Sequence, residues 1–263
     1  MKIKDILQIF DQADAFMILD YLFSYTRTEV ILNMNKDLRA EDIDKVKKIK
    51  VLYDKNIPIE YILGFKYFYG RKFFTDKNVL IPRFDTEILV DEIVNMNKDI
   101  KKGLEIGVGS GIIAISLSLE KNIDFMGVDI NEDALKLSRE NADSLSCDRV
   151  KFIKSDIYEN VEGKFDIIVS NPPYINYEDM KTLDQKVLKE PKLALYGGED
   201  GLYFYREIIK GSGAYLNQDG ILAFEIGYDQ KEAIFEILDG YGYKKHYCRK
   251  DFNGFDRVII ARR

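Results

Sequence analysis

Histidine and cysteine are scarce in this sequence of 263 residues, which has one histidine, His246, and two cysteines, Cys147 and Cys248. The cysteines have neither the spacing of metal ligands nor a disulfide framework around them, so they are expected to be reduced thiols. The histidine has no obvious acid or nucleophile beside it in the sequence. This scarcity argues against a catalytic triad and against a zinc site, and we predict no bound metal.

Long hydrophobic runs are also missing, since no apolar stretch approaches the ~20 residues that span a bilayer. Asp11 and Asp14 interrupt the apolar residues near the N-terminus, so no signal-peptide core is expected. We therefore predict a cytoplasmic monomer with no membrane association. The net charge is −6. Proteins that bind nucleic acid through its phosphate backbone usually carry a net positive charge, because neutralisation of the phosphates dominates their affinity. We therefore expect no direct binding to nucleic acid.

The chain is long enough for a large core and a smaller accessory domain. Apolar residues recur at helical spacing up to Leu63, which predicts a helical bundle over residues 1–63. Aromatic residues then crowd around Gly64 and Gly70. This pattern predicts a β-hairpin, with strands near 66–69 and 72–75, inside a linker over residues 64–85. Aromatic stacking on a nucleic acid is the alternative interpretation of the same residues.

Helical and strand patterns alternate from Thr86 to the end of the chain, which predicts one α/β domain over residues 86–263. The predicted helices are 86–97, 111–120, 132–145, one near 200–212, and 228–239. The predicted strands are 102–107, 123–129, 150–154, 165–170, 220–227, 242–249 and 256–262. Strands separated by helices imply a parallel sheet covered on both faces. The last two strands have no helix between them and are expected to pair antiparallel, giving a seven-stranded mixed sheet.

A glycine-rich loop joins the first of these strands to the helix that follows it. It consists of Gly107, Val108, Gly109, Ser110 and Gly111. Glycines there let the backbone turn tightly and let a ligand approach the main chain. The next strand ends in Asp129, where a carboxylate can hold the two hydroxyls of a ribose. A dinucleotide site is the obvious competitor, but Ile112 stands where its third glycine would fall.

The segment Asn171-Pro172-Pro173-Tyr174 follows the apolar strand 165–170. Two prolines cannot continue a strand ladder and have no N–H groups, so the backbone carbonyls there are held stiffly outward. A rigid carbonyl beside the Asn171 amide oxygen makes a pair of acceptors suited to one planar NH₂ group. The Tyr174 ring can cover the flat face of that group. This arrangement favours methylation of a conjugated nitrogen over acid–base chemistry.

The glycine loop with Asp129 resembles the S-adenosylmethionine site of Rossmann-like class I methyltransferases. In such a site Asp156 would hold the adenine amino group and Ile157 would pack on the adenine face. The whole chain resembles the HemK/PrmC family of peptide chain release factor glutamine N5-methyltransferases. The segments that carry this resemblance are 58–64, 80–87, 107–111, 170–175, 190–201, 225–228 and 256–257. Asn-Pro-Pro-Tyr alone is shared with DNA adenine methyltransferases, whereas segments 82–87 and 197–201 are far more specific.

The resemblance implies that the substrate is the glutamine of the Gly-Gly-Gln motif in class 1 release factors. The Asn171 oxygen and the Pro172 carbonyl would accept its two N–H groups, and S-adenosylmethionine would leave as S-adenosylhomocysteine. Asn171 would also touch the cofactor, and Pro173, Tyr174 and Arg83 would belong to the substrate site. Arg83 can equally form a structural ion pair with Glu87. The N-terminal bundle would dock the protein substrate, or only stabilise the fold.

Three other functions fit parts of the pattern. An adenine N6-methyltransferase acting on nucleic acid faces the same NH₂ problem, but it needs a basic face and a target-recognition domain, and neither is apparent. A non-catalytic binding protein has no need of the rigid acceptor pair. A nicotinamide oxidoreductase is opposed by Ile112. The chain also departs from the family at Phe84 (usually Pro), Glu105 (commonly Asp) and Val108 (often Thr), and Phe84 can reshape the pocket wall.

Overall fold

The computed structural model describes residues 1–262 and divides the chain into two compact units. The first contains residues 1–65 together with a short distant segment, Gln185–Lys189. The second contains residues 66–184 and 190–263. Among residues 1–262 no helix is long and apolar enough to cross a membrane. The same residues contain no group of three or more His, Cys, Asp or Glu side chains placed to hold a metal ion.

The first unit is a bundle of five helices. They are α1 (Ile3–Ile9), α2 (Gln12–Phe23), α3 (Arg27–Leu32), α4 (Ala40–Tyr53) and α5 (Ile59–Leu63). One apolar stripe from each helix meets in a common core that includes Ile6, Leu19 and Val46. A capping box between Thr26 and Glu29 starts α3, because each side chain bonds the other residue's backbone N–H.

Residues 185–189 pack into this first unit through Lys186. Its ammonium lies 3.4 Å from an Asp14 carboxylate oxygen and 3.5 Å from Asp11, and it donates to the Tyr53 hydroxyl at 3.2 Å. It also lies 4.5 Å from the centroid of the Tyr53 ring. The segment is therefore held by charge and by a cation–π contact rather than by apolar burial.

The β-hairpin is formed by β1 (Phe65–Phe68) and β2 (Arg71–Phe74). Gly70, with a φ of +72°, supplies the left-handed turn residue that a tight hairpin needs. Phe68 and Phe73 are buried against the core of the second unit, with their rings 6.1 Å apart in an edge-to-face arrangement. The aromatic residues that were open to a nucleic-acid interpretation are thus in part core residues.

The second unit alternates helices and strands. Its helices are α6 (Asp85–Val94), α7 (Ile112–Lys121), α8 (Glu132–Ser144), α9 (Tyr203–Ser212) and α10 (Lys231–Gly240). Its strands are β3 (Lys102–Ile106), β4 (Asp124–Asp129), β5 (Val150–Lys154), β6 (Phe165–Ser170), β7 (Leu216–Glu225), β8 (Lys245–Lys250) and β9 (Asp256–Arg262). Three short 3₁₀ turns lie between β6 and α9.

The seven strands form one sheet in the order β5-β4-β3-β6-β7-β9-β8. The first five in this order are parallel, and β9 runs antiparallel to both of its neighbours. Both faces are buried, since Ile221 and Ala223 of β7 point to one core while Leu222 and Phe224 point to the other. Helices α6 and α7 cover the first face, and α9 and α10 cover the second.

The predicted fold class is confirmed: the structure is a mixed seven-stranded α/β sheet, and its last two strands pair antiparallel. Strands 150–154, 165–170 and 256–262 have the predicted bounds, whereas the other elements shift by one to four residues at an end. The largest shift is in β7, which begins at Leu216 rather than 220. α6, which ends at Val94 rather than 97, is one of four elements that shift by three residues, with α9, α10 and β8. β7 begins early because a bulge opposite β6 lets polar residues 217–219 stay in the strand.

Candidate active site

A cavity opens at the carboxyl edge of the parallel strands, where the strand order reverses. The chain runs outward from β3 through β4 to β5 and then returns to β6 on the other side of β3. Ligands of such sheets bind at this switch point. Many of the cavity-lining residues follow strand ends, and they come from the segments 78–83, 105–113, 129–134, 155–157, 170–173 and 191–194, with Thr86, Phe204 and Ile208.

The glycine loop turns back on the neighbouring strand. The N–H groups of Gly107 and Val108 both donate to the Val128 carbonyl, at 2.9 and 3.0 Å. Gly107 has a φ of +73°, and no atom lies within 4 Å of the place where a β-carbon would stand. A side chain there would be strained and would project into open space at the cavity wall. The loop therefore presents bare backbone to a ligand.

Asp129 ends β4 and lines the same part of the cavity. One of its carboxylate oxygens accepts the Gly109 N–H at 2.9 Å and the other accepts the Asn131 N–H at 2.9 Å. Burial raises the pKa of Asp129, and these backbone donors oppose that shift. The Ile130 N–H also bonds this carboxylate, so backbone donors hold it in place while its oxygens remain the acceptors that it can offer to hydroxyls of a ligand.

Asp156 and Ile157 follow β5 and also line the cavity. Asp156 is exposed. Ile157 has a φ of +49°, a strained backbone conformation for a β-branched residue. The Ser155 hydroxyl bonds the Ile157 carbonyl at 3.2 Å and helps to hold this turn. Such strain clusters at ligand sites, where surrounding structure enforces it.

These residues fit the nucleoside part of S-adenosylmethionine. The open backbone at Gly107 admits a ligand close to the chain, and Asp129 offers acceptors suited to the two hydroxyls of a ribose. Asp156 offers an acceptor for an exocyclic amine, and Ile157 offers an apolar surface for a flat base. Ile112, the first residue of α7, stands where the third glycine of a dinucleotide site would fall, which argues against a pyrophosphate ligand.

The segment after β6 forms the other part of the cavity wall. β6 is tied to β3 by the Ser170 hydroxyl, which donates to the Ile106 carbonyl at 2.7 Å. Asn171, Pro172 and Pro173 then line the cavity. The Asn171 Nδ2 donates to the Thr86 hydroxyl at 3.2 Å. The structure thus brings the predicted acceptor residues to the wall that continues from the glycine loop.

Two of the predicted residues do not line the cavity. The Tyr174 ring packs against the core on the α9 face, and burial raises its pKa to about 12. Its carbonyl accepts a hydrogen bond from the Gln230 side chain at 3.0 Å. Gly111 is the N-cap of α7, and a β-carbon there would lie 2.8 Å from Ile115, so this glycine serves helix packing. The ligand roles predicted for both stay predictions.

Arg83 lines the cavity and forms an ion pair with Glu190, whose other oxygen accepts the Ile81 N–H at 3.1 Å. The alternative partner, Glu87, instead accepts the Tyr69 N–H at 2.7 Å. Phe84 is 66% exposed, with the Lys66 ammonium 5.1 Å from its ring centroid, and it is not part of the cavity wall.

Thr86, Glu190 and Glu225 belong to this region although sequence reasoning gave them no role. Glu190 and Glu225 are buried carboxylates, and Thr86 is a buried hydroxyl that lines the cavity. All three lie inside segments that carry the family resemblance. Their position in these segments was the only sequence feature that could have indicated a role for them. It does not indicate which of the three side chains contact one another.

The sheet order, the glycine loop and the strand-end carboxylates define a class I S-adenosylmethionine-dependent methyltransferase fold. The family model "Methyltransferase small domain" matches residues 82–200. A methyltransferase of known structure from Pyrococcus furiosus superposes with a TM-score of 0.58, covering 85% of this chain and 98% of that one at 19% identity. That likeness supports the fold alone.

Curated relatives identify the family. The release factor glutamine methyltransferase of Clostridium botulinum is 41% identical over 260 residues, which are 96% of this chain and 92% of the relative. The enzyme of the same name from Fusobacterium nucleatum is 40% identical over 93% of this chain and 72% of the relative. The chain belongs to the release factor glutamine methyltransferase family.

Proposed function

We propose that this protein transfers a methyl group from S-adenosylmethionine to the side-chain amide nitrogen, N5, of the glutamine in the Gly-Gly-Gln motif of class 1 peptide chain release factors. The observation that carries the proposal is the wall formed by Asn171, Pro172 and Pro173, which continues from the glycine loop around one cavity. The family names of the relatives support the choice of glutamine.

An amide nitrogen is a weak nucleophile because its lone pair is conjugated into the carbonyl. The Asn171 Oδ1 and the Pro172 carbonyl accept its two N–H bonds in this proposal and hold the nitrogen toward the methyl donor. Acceptors placed this way favour the pyramidal, charge-gaining transition state over the flat ground state. No general base is needed before attack, since the proton becomes acidic once the nitrogen is alkylated. Positioning supplies most of the rate enhancement.

The methyl donor would be held by the Gly107–Gly111 loop, Asp129, Asp156 and Ile157. When bound, S-adenosylmethionine supplies an electrophilic methyl group and the driving force of a sulfonium. The residues of this chain orient the donor and exclude water. Tyr174 would have to leave its core position to cover the amide plane, so its part in the proposal is the weakest supported.

We further propose that the enzyme acts in the cytoplasm, as a monomer, on a folded release factor. The first unit offers the surface for docking that partner. Direct contact with nucleic acid is not part of the proposal, in keeping with the net charge of −6.

The test incubates the purified protein with methyl-labelled S-adenosylmethionine and one of three substrates. They are a class 1 release factor, its Gly-Gly-Gln→Gly-Gly-Ala variant, and duplex DNA. Label on the intact release factor alone, mapped by mass spectrometry to the glutamine side chain, is the expected result. Label on DNA would favour the adenine N6-methyltransferase alternative, and no label on any substrate would overturn the proposal.

A further inference from the structure

Glu225 is a buried carboxylate next to Asn171 that the mechanism above leaves unused. β6 and β7 are parallel neighbours, and Ser170 pairs with Phe224 in their register. The next residues along the two strands are Asn171 and Glu225, so both come to the carboxyl edge side by side. Glu225 is 1% exposed and does not line the cavity. It lies behind the reacting surface.

The polar contacts of Glu225 are made with side chains of the site. The Thr86 and Asn171 side chains face its carboxylate as potential hydrogen-bond donors, and both lower its pKa. The Asn171 Nδ2 also donates to the Thr86 hydroxyl. A hydroxyl has a single proton and a carboxylate has none, so Thr86 donates to Glu225 while it accepts from Asn171. The second oxygen of Glu225, Oε2, has no hydrogen-bond partner among the described residues.

The directions of these bonds determine which end of the Asn171 amide faces the cavity. With both N–H groups turned inward to Thr86 and Glu225, the Oδ1 atom is left for a ligand. The flipped amide would set its oxygen against a buried carboxylate, which is an acceptor facing an acceptor. That arrangement is unfavourable in free energy, because a buried polar group without a partner loses its hydration and gains no hydrogen bond to offset the loss.

We propose that Glu225, acting through Thr86, is a positioning residue that fixes the Asn171 amide with its oxygen toward the substrate. The inference rests on the proposed function in one respect, namely that an NH₂ group is what this oxygen accepts. The orientation itself is a property of the protein alone. Burying a carboxylate with one unpaired oxygen costs folding free energy. Buried polar atoms without a hydrogen-bond partner are rare, and those that occur are often found at functional sites.

The protonation of Glu225 should control the orientation. Burial raises its pKa to about 7, while the bonds from Thr86 and Asn171 and the charge of Arg257 on β9 lower it. Asp85 at the start of α6 raises it further. Tyr174 after β6 and Tyr205 of α9 face the same carboxylate. Once protonated, Glu225 can donate instead of accept, and the flipped amide becomes permissible.

The first measurement is nuclear magnetic resonance of the free protein labelled with ¹⁵N-asparagine, with the Asn171 side-chain signal assigned by its loss in Asn171→Ala. We expect that NH₂ signal to titrate with a midpoint near pH 7, following the pKa of about 7 for Glu225. This titration of the Asn171 signal should be absent in the Glu225→Gln variant. A signal that does not titrate, or that titrates unchanged in Glu225→Gln, overturns the inference whether or not the protein methylates a release factor.

The second measurement compares kcat for release factor methylation in three variants of unchanged melting temperature. Thr86→Val keeps the shape but removes the hydroxyl, and kcat should fall about 10-fold or more. Thr86→Ser restores the hydroxyl and should recover most of it. In the wild type kcat should rise as pH increases through about 7, and Glu225→Gln should lose that rise.

Affinity for S-adenosylmethionine separates positioning from general damage and should stay within about threefold of the wild type in all three variants. Equal kcat in Thr86→Val and Thr86→Ser, or a loss that follows cofactor affinity instead of kcat, would reject the inference. The proposed function would still stand, because the wild type would still label the glutamine.

Discussion

The two parts of the cavity wall are built in different ways. The half proposed to hold the nucleoside, made of residues 107–110, Asp129, Asp156 and Ile157, presents backbone and one carboxylate that is fixed by backbone N–H groups. The amide half consists of Thr86, Asn171, Pro172 and Glu225, with Glu225 behind the wall. Its orienting contacts run between the side chains of Thr86 in α6, Asn171 directly after β6 and Glu225 in β7.

This difference determines how well each half should tolerate amino-acid substitutions. A backbone cradle is fixed by the fold and depends on glycine only where φ is positive. A side-chain network depends on every member, since removing one leaves the others with unpaired polar groups. The same contrast separates two buried glutamates: Glu105 at β3 bonds a backbone N–H of α7, at 2.8 Å to Ala114, while Glu225 bonds side chains.

The amide half should show the largest effect. Asn171→Ala removes the proposed acceptor of the substrate amide, and we expect kcat to fall about 10²- to 10³-fold, the range for loss of a donor or acceptor aimed at the transition state. Affinity for the methyl donor should change far less. The measurement is initial-rate methylation with binding calorimetry, and Asn253→Ala on the exposed β8–β9 turn is the control. Equal losses in kcat and in cofactor affinity would erase the distinction between the halves.

Asp129 should give the largest effect in the nucleoside half. Asp129→Asn removes the charge that strengthens hydrogen bonds to the two ribose hydroxyls, and we expect affinity for S-adenosylmethionine to fall about 10- to 100-fold. Saturating cofactor should recover most of kcat. Asp124→Asn at the exposed start of the same strand is the matched control and should bind normally. A kcat that stays low at saturation would contradict this assignment.

Alanine substitutions at two glycines with almost the same backbone conformation can separate the effect of strain from the effect of ligand contact. Gly107 and Gly70 have φ values of +73° and +72°, and neither has an atom within 4 Å of its missing β-carbon. Changing either to alanine should cost about 1–2 kcal/mol of unfolding free energy, measured with urea. Only Gly107→Ala, whose methyl group enters the cavity, should also weaken cofactor binding. If Gly70→Ala weakens it equally, the effect is strain alone.

The smallest effect on activity is expected at Glu105. Burial raises the pKa of this carboxyl well above its usual value. The folded state therefore holds a proton that the unfolded state releases, so the stabilising contribution is complete at acid pH and is lost as the pH rises toward the raised pKa. Glu105→Gln should flatten the dependence of unfolding free energy on pH above the ordinary pKa of a glutamate, measured with urea at a series of pH values. An unchanged dependence would contradict the shift.

The nucleoside half was largely predictable from sequence because its parts are local. A glycine loop after a strand, a carboxylate at the tip of the next strand and Asp156 after the third are each visible in a few residues. Parallel strands then bring their carboxyl ends to one edge. The boundaries of β6 and β9 were equally clear, because both faces of the sheet are buried and each strand has an unbroken apolar run at its centre, 167–169 and 258–261.

The amide half was only partly predictable. The pair Asn171 and Pro172 could be found from local chemistry, but Thr86 is 85 residues away from Asn171 along the chain, and Glu225 lies at the end of another strand. Which polar groups face each other there depends on register and on rotamers. For the same reason no pattern in the sequence indicates that Tyr174 turns to the core, or that Arg83 pairs with Glu190.

The short segment Gln185–Lys189 has a consequence for how this protein can be taken apart. Because it packs with the helical bundle, the chain crosses between the two units three times, after Phe65, after Asp184 and after Lys189. A single cut after Phe65 therefore does not release two intact pieces. A fragment starting at Lys66 would carry Lys186 without Asp14 and Tyr53, and the bundle alone would lack the cation that those residues bind. The bundle therefore includes a segment from later in the chain and is not one continuous stretch of sequence.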